Sequence, residues 1–289
     1  MIRPFLQILL ASAVAAFVAL PMMAQGTRHK EISLGHEREI SVVIDVSFGT
    51  VIIEPGETDK ILVADFTAPR DEESEEFHIK YSTRGDRGEL VIKSKDRSKF
   101  WRDNDDKNIE DRVWTLRFSD ALPMDFRIEL GAGKGELDLT GLRIRTLKIS
   151  SGASSVEMFC DKKNPIEAES IVIESGVSKF TATNLANMNF SKLKFGGGVG
   201  SYRLDFGGKL RRNADARVEV GLGAITIDVP RETPLQILYD DSWFSSFDLA
   251  DGFTKRRGGV YETEDYRRSE PSLSIKVESG LGSVKVRRR

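Results

Sequence analysis

The stretch "GLGAITIDV", Gly221–Val229, decides between two interpretations of the glycine-rich points in this chain. Such glycines either cradle a phosphate at the start of a helix or turn the backbone between two strands. Here β-branched residues follow the glycines and run into Pro230, and neither GxGxxG nor GxxxxGK[ST] occurs in the sequence. The stretch therefore indicates a corner between strands and argues against a nucleotide-binding loop.

The same pattern recurs along the chain as glycine, any residue, glycine or serine, and then alternating apolar positions. Copies begin at six corner glycines, Gly133, Gly152, Gly176, Gly198, Gly221 and Gly280. A degenerate copy, "SFGTVII", begins at Ser47. The first five glycines are separated by 19, 24, 22 and 23 residues. Periods of this size are typical of solenoids, so we predict rungs of about 22 residues.

Apolar and polar residues alternate on both sides of each corner, as at Ile171 and Ile173 before Gly176. A period of two indicates strands with one buried face. Glycine suits the corners because it lacks a Cβ and tolerates positive φ, which we expect at Gly176, Gly198 and Gly280. The sequence therefore predicts an all-β fold, a β-solenoid in which a strand, a tight corner and a second strand repeat.

The N-terminus has the features of a secretory signal peptide over residues 1–24. Arg3 gives a basic start, Phe5–Leu20 is apolar, and Pro21–Ala24 forms an exit of small residues. The apolar run is slightly shorter than the roughly 20 residues of a membrane-spanning helix. We expect cleavage after Ala24 and export of residues 25–289 to the periplasm or the cell exterior, as one β-solenoid domain without a membrane span.

Two segments interrupt the repeat. Residues 70–112 are dense in charge and contain a predicted hairpin that turns at Gly85. Residues 231–271 form an insertion on the C-terminal side that is rich in aromatic residues. This insertion either covers the open end of the solenoid or presents a contact patch. The patch would consist of three aromatic residues, Trp243, Phe244 and Phe247.

Composition and motifs give little support for catalysis. The chain has 43 Lys+Arg against 45 Asp+Glu, so charge gives no reason to expect nucleic acid as a partner. HExxH, CxxC and GxSxG are all absent, and we predict no catalytic residues, no metal site and no cofactor. Cys160, the single cysteine, falls on the apolar phase of its strand. We expect it to be buried and unreactive.

Three other features have competing interpretations. The acidic run Trp101–Asp111 lacks the spacing of an EF-hand loop, so a solvated loop is favoured over a calcium site. "RGD", Arg84–Asp86, fits a hairpin turn better than an adhesion motif. The best candidate for an enzyme is a line of outward-facing carboxylates of the kind found in polysaccharide-acting β-helices, formed by Asp138, Asp205 and Asp228.

The segment "VWTLRFSDALPMDFRIELGAGKGELDLTGLRIRTLKISSGASSVEMF", Val113–Phe159, resembles the toast-rack β-solenoid domains. It has a Trp-led strand, a Leu-Pro, an "LGAG" corner, an "LDLTGL" strand and a second corner, "SGASSVE". "GVGSYRLDFGG", the terminal "GLGSVKV" and the opening "ISVVIDVSFGTVIIEPGETDKILVADF" fit the same pattern. The resemblance extends from about residue 30 to the C-terminus. Its motifs are corner and strand motifs, which specify a fold and not an activity.

The resemblance implies a stack of short β rungs of the kind found in exported or membrane-tethered bacterial envelope proteins. Relatives include the extracellular parts of LiaF-like proteins of the cell-wall antibiotic stress response, and adhesin-type domains. They offer no agreed catalytic residues to carry over, and LiaF-like proteins have several membrane helices where this chain has a cleavable signal. We expect a non-catalytic envelope protein that binds a protein or polysaccharide. The alternatives are a polysaccharide-acting enzyme and a purely structural component.

Overall fold

The computed structural model describes residues 25–69, 78–94, 112–239 and 245–289. Apart from a single-turn 3-10 helix at Leu185–Met188, the regular structure in these ranges is β. The strands are β1 (Gln25–Ser33), β2 (Glu39–Pro55), β3 (Lys60–Pro69), β4 (His78–Arg84), β5 (Arg87–Lys93), β6 (Val113–Phe118), β7 (Met124–Asp138), β8 (Ile144–Phe159), β9 (Ser170–Thr183), β10 (Lys192–Asp205), β11 (Ala214–Val229), β12 (Leu235–Tyr239), β13 (Ser245–Leu249), β14 (Phe253–Lys255), β15 (Val260–Thr263) and β16 (Leu273–Arg288).

The centre of the molecule is a parallel stack in the order β2, β7, β8, β9, β10, β11, β16. Each of these strands is long and changes its buried face halfway. In β8, Leu147, Ile149 and Ser151 are buried before this point, the next two residues are exposed, and Val156 and Met158 are buried after it. Because strand side chains alternate, such a change of phase means that the strand turns a corner. The predicted all-β solenoid is confirmed.

Both ends of the stack use split rungs. The first half of β2 pairs in parallel with β5 and the second half with β6. At the other end, the first half of β16 pairs with β12 and the second half with β13. β2 and β16 are therefore each the second rung from an end of the stack. The outermost rungs are formed by β5 with β6 and by β12 with β13. Parts of both segments expected as insertions add strands to the stack.

Antiparallel strands complete the two ends. β3 pairs with β6 and with β1, while β4 and β5 form the predicted hairpin around Gly85, which has a φ of +64°. At the far end, β15 pairs with β12 and with β14. These strands cover the open faces that a parallel stack would otherwise expose.

The core is a continuous apolar filling enclosed by the rungs. Aromatic rings pack in its interior, with centroids 4.4 Å apart for Phe66 and Trp114 and 5.7 Å apart for Phe180 and Phe195. Phe190 and Phe206 lie 6.3 Å apart below the connections between rungs. Burial of this surface is the main source of stability, since the single cysteine, Cys160, is free.

Candidate functional site

The bends of the central strands lie above one another and are lined with glycine. A Cβ added to Gly152 would lie 2.6 Å from the carbonyl oxygen of Gly131, and one added to Gly280 would lie 2.5 Å from that of Gly221. Side chains do not tolerate contacts this short. Glycine at the first residue of each bend therefore allows neighbouring backbones to approach closely.

The expectation of positive φ at Gly176, Gly198 and Gly280 is wrong, and on β11 and β16 positive φ occurs at the third residue of the bend instead. Gly223 has a φ of +139° and Gly282 a φ of +143°. Ser178 and Gly200, the third residues of the bends in β9 and β10, do not have positive φ. The first glycine is needed for close approach, whereas these third glycines are needed for conformation as well.

The structure also changes the register of one repeat. Gly133 pairs with Ser154, so Gly131 is the residue level with Gly152, and the separation is 21 residues. Gly133 lies at the third residue of its bend, with a φ of +133°. β7 contains glycine at 131, 133 and 135, so the motif fitted this strand in more than one register.

The middle residue of each bend points outward. On four adjacent strands it is a large aliphatic residue, with exposed fractions of 66%, 46%, 46% and 50% for Val177, Val199, Leu222 and Leu281. These residues are level with one another in the sheet register. We call this row the corner ridge, and its members follow at the strand spacing of about 4.8 Å. Among the described residues they are the exposed large hydrophobics.

Sequence reasoning missed the corner ridge, although a signal was present. The ridge residues occupy the variable position of the corner motif, where Val or Leu stands between residues with little or no side chain. Flanking alternation places this position outside the core. Attention to the variable position, rather than to the glycines around it, would have found the row.

An acidic column runs beside the ridge on the strand halves that precede the bend. It consists of Glu174, Glu219 and Glu278, and Gly196 occupies the level between the first two. A groove of about 590 Å³, the corner groove, lies over the acidic column and the first glycines of the bends. Its lining is Gly196, Gly197, Gly198, Glu219, Val220, Gly221, Glu278, Ser279 and Gly280.

The glutamates of the acidic column are paired with cations on the side away from the ridge. Lys148 Nζ lies 3.5 Å from Glu174, and Lys276 Nζ lies 2.7 Å from Glu278. The Lys276 ammonium holds the pKa of Glu278 below its usual range. Glu278 therefore stays ionised at neutral pH.

The carboxylate line predicted for an enzyme is only partly assembled. Asp205 and Asp228 are neighbours in register, but Asp138 pairs with Phe159 and lies several rungs away. Asp228 is fully buried, and three guanidinium groups surround it, those of Arg203 at 2.9 Å, Arg287 at 2.7 Å and Arg289.

Asp205 differs from its neighbour because its pKa is raised, first by burial and then by the adjacent Asp228 charge. Its Oδ1 accepts a hydrogen bond of 2.8 Å from the Gly207 amide. A carboxylate enclosed by arginines, as Asp228 is, serves an ion-pair network more readily than proton transfer to a substrate.

The predicted aromatic patch is described only in part. Phe247 is half-buried and stacks on Tyr239, with centroids 4.1 Å apart and planes 10° apart, and its other side faces Tyr261. Trp243 and Phe244 lie outside the described residues. Packing therefore accounts for Phe247, and the patch itself stays a prediction.

The remaining sequence candidates have simple surroundings. Cys160 is buried as predicted, its Sγ donates to the Lys162 carbonyl at 3.0 Å, and burial raises the pKa of the thiol to about 12. The RGD tripeptide lies at the exposed β4–β5 turn, whereas the acidic run Trp101–Asp111 lies outside the described residues. In the described ranges no group of three or more His, Cys, Asp or Glu residues is arranged to hold a metal ion.

A second finding concerns membranes. Among the residues that the structure describes, no helix has the length and apolar character that crossing a bilayer requires.

Comparison with solved structures finds several similar proteins. One, provisionally described as a cell adhesion protein from Clostridium sporogenes, is 19% identical, with 92% of this chain and 100% of that chain covered and a TM-score of 0.48. A provisional adhesin from Bacteroides fragilis is 13% identical, with coverages of 92% and 99% and a TM-score of 0.42. A provisional lipid-binding protein from Parabacteroides distasonis is 15% identical, with coverages of 91% and 97% and a TM-score of 0.36.

The comparison with curated proteins gives no match. Residues 22–183 match the family described as the N-terminal domain of toast_rack, DUF2154. This match covers more than half of the chain and includes the quoted "LGAG" and "SGASSVE" corners. The chain therefore belongs to the toast-rack family.

Proposed function

We propose that this protein is an exported, non-catalytic binding module of the bacterial cell envelope, which holds a protein or polymer partner along the corner ridge. The observation that carries the proposal is the level row of exposed aliphatic side chains, Val177, Val199, Leu222 and Leu281. Single exposed apolar residues are ordinary, but a contiguous row is typical of an interaction surface.

The rigidity of the bends that carry the corner ridge favours binding. The bends of β9, β10 and β11 are paired with a rung on each side, so most of the ridge is held rigidly before any partner arrives. Rigid surfaces lose little conformational entropy when they bind. Full burial of a Val or Leu side chain contributes roughly 1.5–3 kcal/mol, so four such residues provide a substantial driving force.

The remaining parts of the proposal come from the sequence. The signal-like residues 1–24 support export, with Gln25 as the first residue of the mature chain. The predicted patch at Trp243, Phe244 and Phe247 would give a second contact point at the end of the stack. The arginine-enclosed Asp228 supports a non-catalytic role over the polysaccharide-acting alternative.

A pull-down from envelope extract tests this function. Mature protein is compared with the Leu222→Asp variant, which places a charge on the ridge. The matched control is Thr226→Asp, which places the same charge on the outer face of the same strand beyond the bend. We expect partners retained by wild type and the control to be lost from Leu222→Asp.

Two outcomes would contradict the proposal. Equal retention of partners by all three proteins would exclude the ridge as the binding surface. Sugar release from wall polymer that depends on Asp205 and Asp228 would favour the enzyme instead. Mass spectrometry of the mature species tests export separately, because retention of residues 1–24 would show that the N-terminal segment is not removed.

A further inference from the structure

The two ends of the stack are not covered equally. Each outermost rung consists of two half-rungs, β5 with β6 at one end and β12 with β13 at the other. An antiparallel strand pairs with the outer edge of three of them, β4 with β5, β3 with β6 and β15 with β12. Among the described residues, β13 pairs with β16 alone. The outer edge of this half-rung therefore lacks the covering strand that the other three have.

The uncovered edge of β13 presents backbone hydrogen-bonding groups. Alternate residues of a strand direct their N–H and C=O groups to the same neighbour. The Ala250 amide donates to the Val286 carbonyl at 3.0 Å, so Asp248 also faces β16. Phe247 and Leu249 then direct their amides and carbonyls to the outer edge, where no described strand receives them. β13 contains neither a proline nor a bulge, two devices that protect free edges in natural proteins.

The same inward columns of side chains end differently at the two ends of the stack. On β6 they end in Trp114 and Leu116, which are 1% and 0% exposed. On β13 they end in Phe247 and Leu249, which are only partly buried. The apolar filling of the solenoid is therefore closed at β6 and incompletely covered at β13.

The strand β3 accounts for the complete cover at the first end. It runs antiparallel to β6 and places Phe66 level with Trp114, with ring centroids 4.4 Å apart. Ala64 of β3 is level with Leu116, and both residues of β3 are fully buried. The cover that this fold uses for such an edge is thus an antiparallel strand with apolar residues at alternate positions.

We propose that the outer edge of β13 binds an extended segment of a partner protein, which pairs antiparallel to it and places apolar residues level with Phe247 and Leu249. Strand addition to a free sheet edge obtains affinity from main-chain hydrogen bonds and specificity from alternate side chains. The edge of β13 offers both. The inference concerns the end of the stack and does not rest on the corner ridge.

The charge on β13 restricts what the segment can be. Asp248 lies between the two apolar residues on the outer face, where its partner is Lys285 Nζ at 2.9 Å. Like charges directly opposite each other destabilise a strand pair, so the segment has a residue other than Asp or Glu at this level. A second copy paired through its own β13 fits less well. The antiparallel register that gives both Phe247 and Leu249 an apolar neighbour places Asp248 opposite Asp248.

The test uses a fluorescent peptide with the sequence of β3, Lys60–Pro69, because this strand covers the equivalent edge. The peptide carries Asp65→Thr, since Asp65 would lie level with Asp248. Binding to the mature protein is measured by fluorescence anisotropy. We expect saturable binding of this peptide and at least tenfold weaker binding of a scrambled peptide in which the alternation is lost.

Two N-methylated forms of the peptide separate strand pairing from simple apolar contact. In an antiparallel pair, a residue level with one whose backbone faces it exchanges both hydrogen bonds with that residue. Methylation of the amides at Ala64 and Phe66, level with Leu249 and Phe247, should therefore weaken binding about tenfold or more. Methylation at positions 65 and 67, where the amides face away from β13, should leave the affinity within about twofold.

Variants of Leu249 place the binding on β13. Leu249→Pro removes an outward amide, and proline is tolerated in a strand where the N–H faces solvent. The matched control is Leu249→Ala, which also removes the side chain but keeps the amide. We expect Leu249→Pro to bind the peptide at least fivefold more weakly than Leu249→Ala, with both variants folded by circular dichroism.

Equal affinities of the two methylated peptides, or of Leu249→Pro and Leu249→Ala for the parent peptide, would overturn this inference. Self-association of the mature protein that Leu249→Pro abolishes in sedimentation velocity would assign the edge to a second copy and would also overturn it. The ridge variant Leu222→Asp should bind the peptide as wild type does. Failure at β13 therefore leaves the corner ridge to be judged by its own pull-down.

Discussion

The two sides of the stack use the same rungs differently. On the corner side, backbones approach one another through glycines, and aliphatic side chains point into solvent. On the opposite side, where one rung connects to the next, side chains turn inward and bond the neighbouring rungs together. Hydrogen bonds from the Asn164 side chain link rungs on the connection side, whereas the corner side carries an exposed apolar row.

Asn164 shows how the connection side works. Its Oδ1 accepts bonds from the amides of Ile144, at 3.2 Å, and Ile166, at 3.3 Å. Its Nδ2 donates to the carbonyls of Ile144, at 2.7 Å, and Met188, at 3.1 Å. One buried side chain thus links the start of β8 to two later connections, whereas the corner has few side chains to make such links.

The largest expected effect comes from removing the backbone approach at the corner. Gly223→Ala places a Cβ against the carbonyl oxygen of Gly200 at a residue with a φ of +139°. We expect the free energy of unfolding to fall by roughly 3 kcal/mol or more. Gly258→Ala is the control, because its φ is +69° but its Cβ would have open space, and it should cost about 1–2 kcal/mol. Equal losses in chemical denaturation would show that close approach is unimportant.

A somewhat smaller effect is expected on the connection side. Asn164→Ala leaves several buried backbone groups without partners and should lower the free energy of unfolding by about 2–3 kcal/mol. Asn213→Ala is the control, since Asn213 is exposed and bonds Ser272 and Glu270 at the surface. We expect that change to cost less than about 1 kcal/mol. Equal free energies of unfolding for the two variants would contradict the special role of the buried Asn164 side chain.

Thiol accessibility tests the difference between the sides without disturbing the fold. Native Cys160 lies on the connection side, where burial raises its pKa to about 12, so it should react very slowly with iodoacetamide at neutral pH. Leu222→Cys in a Cys160→Ala background places the thiol on the ridge, where labelling should approach the rate of a free peptide. Rapid labelling of Cys160 in native protein would contradict its burial.

The parts of the fold that depend on local sequence could be predicted, and those that depend on distant pairing could not. A glycine corner followed by alternating apolar residues specifies a bent strand wherever it occurs, so the solenoid and the burial of Cys160 followed from the sequence. The register of β7 did not, because glycines at 131, 133 and 135 fit the motif equally well. The pairing of β2 with β5 and of β16 with β12 joins segments distant in sequence, which local periodicity does not report.

The candidate site was harder to predict for a physical reason. Sequence reasoning gives weight to aromatic and charged residues, so it selected Trp243, Phe244 and Phe247 and the line of carboxylates. A ridge of Val and Leu has no distinctive chemistry, and it becomes visible only when the register places its members level. The enclosure of Asp228 by arginines from β10, β16 and the C-terminus likewise depends on stacking.

The smallest expected effect on stability belongs to the ridge itself. Leu222 is 46% exposed, so Leu222→Ser removes little buried surface, and the free energy of unfolding should stay within about 0.5 kcal/mol of wild type. Leu193→Ala, on the preceding strand, is the contrasting change because Leu193 is buried, and it should cost about 2–5 kcal/mol. Both are measured by chemical denaturation of the mature protein. If the ridge instead stabilised the fold, Leu222→Ser would lower the free energy of unfolding by more than about 1 kcal/mol. Packing would then account for the apolar character of the ridge. A neutral Leu222→Ser that also loses binding would instead assign the aliphatic side chain to recognition.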